Sequence, residues 1–332
     1  MLAGQGWSAW HTLKPAKIFC FRVDSAGKRN VRLKAIKLQI DNLQHHQQPA
    51  IKPPEKNPRK QQSPGRAKVS EFQVPDLFSV RDRRIVVVGG TSGIGQAAAS
   101  YLSRQGANIT ITGRRASGAA IAERIGAGFV AMNVADNQSV QVGFAEISAT
   151  PIDCLILNAG IKQEHGEIAN LDIAVFEQMM DVNTLGTVRA LAAGVGAMRS
   201  GGSVVVTSSP AGLITVGGLA AYSASKAALN MLVRTWSLEL GPKGIRVNAI
   251  LPGIVESEMA PAGSPEVEGV RRMTANGVFR RPEEMAPVFQ FLASDASVTL
   301  TGSLVGAHDG ISVGYSAEVM RYLSVTSMVR AV

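Results

Sequence analysis

From residue 84 onward, continuous Val/Ile/Leu runs alternate with stretches of helical period. RIVVVG leads into GIGQAAASYLSRQG, and NITITG leads into ASGAAIAERIG. GFVAMNV, DCLILNAG, GGSVVVTSS and IRVNAILPG recur in the same way. A strand that is apolar on both faces must be covered on both. Such strands, separated by helices, build an α/β fold with a doubly covered parallel sheet. The pattern predicts further helices over QSVQVGFAEIS, over one long stretch from Ile173 to Met198, and over AAYSASKAALNMLVRTWSLELG. Another starts near Pro282, where proline suits an early helical position. GSPEVEGVRRMTANG reads as a looser segment and TGSLVGAHDG as a last short strand.

The basic character of the chain is confined to its beginning. Residues 1–70 hold 14 of the 34 Lys and Arg but three of the 25 acids, so the remainder is near balance at −2. HHQQPAIKPPEKNPRKQQSPGRAK has little to bury and is expected to be disordered. The expected organisation is a basic extension over 1–80, a catalytic α/β domain over 81–312 and a C-terminal tail over 313–332. The extension loosely resembles an organelle transit segment; without such a role the setting is cytoplasmic. Cys20 and Cys154 lie far apart and outside any metal-ligand spacing, so no metal is expected. No run of eighteen apolar residues predicts a membrane span. The domain itself has no charge signature for nucleic acid.

The first strand runs directly into Gly89-Gly90-Thr91-Ser92-Gly93-Ile94-Gly95 and then a helix. Glycines there let the backbone turn tightly and approach a pyrophosphate, which also meets the positive end of the helix. The second strand ends near Thr112, where an acid would bind the ribose hydroxyls of NAD. The chain instead reads Thr112-Gly113-Arg114-Arg115. An arginine here suits the 2′-phosphate of NADP, so NADP is expected to be preferred over NAD.

Farther on, Tyr222 and Lys226 stand four residues apart in YSASK, with Ser209 thirteen residues before the tyrosine. Residues four apart share a helix face. A nearby ammonium favours the phenolate and lowers the tyrosine pKa from about 10. Such a pair can exchange a proton with a substrate oxygen near neutral pH.

In order and spacing, GGTSGIG, LNAG, VNTLGT, SS, YSASK, PGIVESEM and HDG resemble the short-chain dehydrogenase/reductase family, including its 3-oxoacyl carrier-protein reductase and glucose dehydrogenase-like members. The resemblance covers about Arg84 to Gly310. It implies a Rossmann-like sheet of about seven strands in the order 3-2-1-4-5-6-7. It also implies a tetrad. Tyr222 is the proton donor or acceptor, Lys226 holds the nicotinamide ribose and lowers the tyrosine pKa, Ser209 bonds the substrate oxygen, and Asn183 anchors a relaying water. Asn133 and Val134, the turn Asn158-Ala159-Gly160, and Pro252, Gly253, Val255 and Ser257 are implied to line the cofactor site. Val88 stands where a threonine usually ties the glycine loop to the Asn-Ala-Gly turn, and Asn133 stands where an aspartate usually meets adenine. The implied activity interconverts a secondary alcohol and a ketone on a small molecule, in a homotetramer or dimer that uses the long helices. The alternative is a catalytically silent NAD(P)-binding sensor or scaffold. The segment Pro261–Gly277 and the residues after Gly160 are implied to shape the substrate pocket. Glu164, His165, Glu256 and Glu258 read as solvated polar groups.

Overall fold

The computed structural model describes residues 74–163, 166–214 and 217–329. Most of the expected extension, residues 1–73, lies outside the described residues, as do Glu164 and His165. A short helix α1 (Val74–Leu77) precedes the first strand, and Val80 is already buried in the core.

Seven strands form one sheet: β1 (Arg84–Val88), β2 (Asn108–Gly113), β3 (Gly128–Ala131), β4 (Ile152–Leu157), β5 (Met198–Thr207), β6 (Arg246–Pro252) and β7 (Leu304–Ala307). All neighbours are parallel, in the order β3-β2-β1-β4-β5-β6-β7. Strand side chains alternate between faces, and the core divides accordingly. Val86, Val88, Leu155, Leu157, Val204 and Val206 face one layer. That layer holds α4 (Asn137–Ile147), α6 (Gly186–Gly194) and α7 (Ala220–Leu240). Ile85, Val87, Ile109, Ile111, Ile156 and Val205 face the other. There lie α2 (Gly93–Arg104), α3 (Gly118–Ile125) and α9 (Ala286–Ala293). Phe144 on α4 and Phe289 on α9 are fully buried, one on each side. Side chains of this kind stabilise by about 1.5–3 kcal/mol each when fully buried. Gly194 exists to admit the first: a Cβ there would stand 2.5 Å from the Phe144 ring.

The long helix expected over Ile173–Met198 is not continuous. It is α5 (Ile173–Met180), a π turn (Asp181–Leu185), α6 and a closing 3-10 turn, and Met198 already belongs to β5. The segment expected to be loose contains α8 (Pro265–Met273), capped by Ser264, whose hydroxyl accepts from Val267 N at 3.3 Å. The tail holds α10 (Ala317–Val329), which packs on α8. Ser316 donates to the Arg272 carbonyl, and Glu318 pairs with Arg272 at 3.6 Å. The chain builds outward from β1 through β2 to β3, then crosses back to place β4 on the other side of β1. The reversal opens a crevice at the strands' carboxyl ends.

Candidate active site

That crevice is a cavity of about 810 Å³. Its first wall is the loop after β1. Gly89 has φ 80°, and a Cβ there would stand 2.7 Å from the Ala159 backbone. At Gly95 a Cβ would stand 2.2 Å from the Gly89 carbonyl and 2.4 Å from Asn158 Nδ2. The loop is therefore pressed onto the turn after β4. Asn158 fastens it there, donating from Nδ2 to the Gly89 carbonyl at 3.0 Å and from its backbone N to Val88 O at 2.9 Å. The tie that an apolar Val88 leaves in doubt is thus made by Asn158. Helix α2 begins at Gly93 with no acid in its first turn, so its amide end faces the cavity uncompensated.

Thr91, Ser92, Gly93 and Ile94 line the cavity with Gly89, whereas Gly95 lies behind them. Arg114 and Arg115 line it from the end of β2, and Asn133 and Val134 from the end of β3. Asn133 Oδ1 accepts from Ala135 N at 3.2 Å, so its acceptor is already engaged locally. Ala159, Gly160, Pro252, Gly253, Val255 and Ser257 complete the expected set of lining residues.

At the other end Ser209, Tyr222 and Lys226 come together. The chain leaves β5 through a tight turn, Pro210–Gly212, that Ser209 caps by accepting from Ala211 N at 3.2 Å. A Cβ on Gly212 would stand 2.7 Å from the Lys226 backbone, so glycine lets this turn sit directly on α7. Ser209 and Tyr222 share a hydrogen bond. Ser208 points elsewhere, donating to Asn230 Oδ1 at 2.6 Å. Lys226 is buried, its Nζ 5.7 Å from the Tyr222 ring centroid and donating to the Thr207 carbonyl at 2.9 Å. Burial pushes its amine down to about 8. Burial also raises the Tyr222 phenol above its ordinary value, against the Ser209 hydrogen bond, which lowers it. The expected lowering by the ammonium does not appear, because burial disfavours the ionised form of both partners.

Asn183 does not line the cavity. It sits fully buried in the π turn, where it accepts from Ile161 N at 2.7 Å and donates to Ile161 O at 2.9 Å and to Ser225 Oγ at 3.1 Å. π turns often mark functional positions in helices. This one braces α5–α6 against the strand β4 exit and α7. Asn183 Oδ1 and Lys226 Nζ both flank Gly160, where a Cβ would stand 3.3 and 3.6 Å from them.

The sequence reading missed three groups. Thr112 Oγ1 and Thr207 Oγ1 are buried without a partner among the described residues, and both residues line the cavity, from β2 and β5 respectively. Their place at the carboxyl ends of their strands was the available signal. Val270 and Met273, three apart on α8 and within the segment expected to shape the pocket, do line the cavity, with Ile311. Glu258, expected to be solvated, forms a bidentate pair with Arg115 at 2.9 and 2.6 Å. Among the described residues no cluster of potential metal ligands occurs, and no helix is long and apolar enough to cross a membrane. A dinucleotide fits this cavity: a glycine cradle without room for side chains, an open helix N-terminus, and an orphaned hydroxyl on each of two strands.

Residues 88–312 match the family model described as enoyl-(acyl carrier protein) reductase. The chain is 33% identical over 243 residues to short-chain dehydrogenase reductase 5 of Arabidopsis thaliana, covering 69% of this chain and 94% of that protein. It is 31% identical over 238 residues to the 3-oxoacyl-(acyl-carrier-protein) reductase FabG of Aquifex aeolicus, covering 68% and 96%. A short chain dehydrogenase from Burkholderia cenocepacia, solved in complex with NADP, superposes with a TM-score of 0.67 at 26% identity, covering 71% of this chain and all of that one. Likeness of this breadth, on this geometry, identifies the chain as a member of the short-chain dehydrogenase/reductase family and an NAD(P)-dependent oxidoreductase.

Proposed function

We propose that the protein interconverts a secondary alcohol and a ketone, with Tyr222 as general acid and base and NADP as the preferred cofactor. The observation that carries this reading is the Ser209–Tyr222 hydrogen bond in front of buried Lys226, at the far end of a cavity from the glycine loop. The nicotinamide cofactor supplies or accepts the hydride when bound. Gly89 to Gly95 and the α2 N-terminus hold its pyrophosphate, Arg114 and Arg115 its 2′-phosphate, and Lys226 its nicotinamide ribose.

In the reducing direction negative charge grows on the carbonyl oxygen. Ser209 and Tyr222 present hydroxyls to that oxygen and stabilise it. Tyr222, kept neutral by its raised pKa, gives up its proton. Lys226 stabilises the phenolate that results, passes it a proton and is reprotonated from water, while Asn183 holds the turn at Gly160 beside the Lys226 amine. Alcohol oxidation runs the same steps in reverse, with Tyr222 accepting the proton.

The test is NADPH consumption with a panel of ketones, for wild type and Tyr222→Phe. Equal rates in the two proteins would end the proton-donor assignment, and no turnover with any ketone would favour a silent binder. We also read the exposed apolar side chains of Ile173 on α5 and Met231 and Leu238 on α7 as the face that meets a second copy of the chain. Light scattering that finds a monomer at micromolar concentration contradicts this.

A further inference from the structure

The Arg115–Glu258 pair joins the end of β2 to the segment after β6, residues 143 apart in sequence. Both line the same cavity. The segment that carries Glu258 is already laid over the glycine loop, since a Cβ on Gly93 would stand 3.9 Å from Ser257 Cβ. The pair therefore spans the cleft at its adenosine rim. Arg114, beside it, makes no ion pair among the described residues and remains available to an anion.

A 2′-phosphate and the Glu258 carboxylate ask the same thing of Arg115: two parallel N–H donors from one planar guanidinium. Glu258 takes the Nη1–Nη2 edge of Arg115 and leaves a phosphate only the Nε–Nη2 edge, and two anions at one cation repel. A nucleotide with a bare 2′-hydroxyl makes no such demand and leaves the pair intact. We propose that Glu258 is a specificity-determining residue, whose carboxylate competes with the cofactor 2′-phosphate for Arg115 and so sets the discrimination between NADP and NAD. This deepens the NADP preference proposed above and rests on its placement of the adenosine ribose at Arg114 and Arg115.

The experiment is calorimetric titration of the full-length protein with 2′,5′-ADP and with 5′-ADP, for wild type, Glu258→Gln, Arg115→Gln and the double variant. Both side chains are largely exposed, at 54% and 71%, so folding is not at risk. Glu258→Gln is expected to tighten 2′,5′-ADP by about two- to fivefold, the scale of an exposed ion pair, and to leave 5′-ADP unchanged. In the Arg115→Gln background the same change is expected to have no effect, because the contested cation is gone. If Glu258→Gln leaves 2′,5′-ADP affinity unchanged or weakens it, the competition is refuted. The NADP reading fails separately if wild type binds both nucleotides equally. A preference that then emerges only in Glu258→Gln supports the competition while refuting the reading for wild type.

Discussion

At the Tyr222 end of the cavity, Asn183 and Lys226 are buried, and both oxygen and nitrogen of the Asn183 amide are bonded. At the glycine-loop end, Arg115 and Glu258 stand largely in solvent and hold each other across the rim. In the buried end the surroundings fix each group once, and its pKa moves with burial. In the exposed end water and salt screen every charge, so specificity comes from which anion wins a given cation. On the function proposed above, one region is preorganised for proton chemistry and the other is tuned by competition.

The comparison breaks if the buried end proves dispensable. Tyr222→Phe keeps the ring and removes the proton, and is expected to cost about 10²–10⁴ in kcat for ketone reduction, read by NADPH absorbance. Lys226→Met tests the burial effect itself. The Lys226 pKa, about 8 in the folded chain against 10.5 in the reference state, means that the unfolded chain binds more protons between those values. The burial penalty is full below pH 8 and relieved as pH rises toward 10.5. Wild type should therefore gain stability relative to Lys226→Met across that window, by about 3 kcal/mol at most, in denaturant titrations. Parallel curves would mean that the amine is not held down by burial.

Gly95→Ala probes the contact between the glycine loop and the turn after β4. Its methyl meets the Gly89 carbonyl and Asn158, and overpacking of this kind is expected to cost about 1–3 kcal/mol of stability. Weakened nucleotide binding should accompany it. The smallest effect belongs to the exposed end. Arg114→Gln is expected to weaken 2′,5′-ADP by about tenfold, as loss of a charged hydrogen bond does, and to spare 5′-ADP. That loss should shrink in 1 M salt, while the Tyr222→Phe defect should not. Equal salt sensitivity at both ends would erase the distinction.

The same contrast decides what was legible in the sequence. Strands such as RIVVV and RVNAILP announce themselves by their apolar runs, while the order of the strands in the sheet came from the family resemblance. The glycine loop and YSASK are local spacings, and local spacing survives in a string. The break in the long helix was hidden, because Asp181–Leu185 has no proline or internal glycine. The π turn there holds Asn183 against Ile161, a contact made only in the fold. Helix α8 was hidden by its polarity, although Ser264 followed by Pro265 is a start signal that could have been used. Ser209 was separable from Ser208 by its distance from Tyr222, and Ser208 does turn to Asn230. Glu258 was read as solvated because nothing within the string brings it to Arg115.

Helix α7 carries Tyr222, Ser225 and Lys226 in its first two turns and leaves Met231 and Leu238 bare beyond them. At 1.5 Å per residue its 21 residues make a shaft about 30 Å long. A tilt of about two degrees displaces one end against the other by about 1 Å, and an ångström of misplacement costs about a hundredfold in rate. On the proposed mechanism, the outer end of α7 is thus a lever arm on proton transfer. A charge placed at Leu238 is expected to register in kcat before it registers in nucleotide affinity.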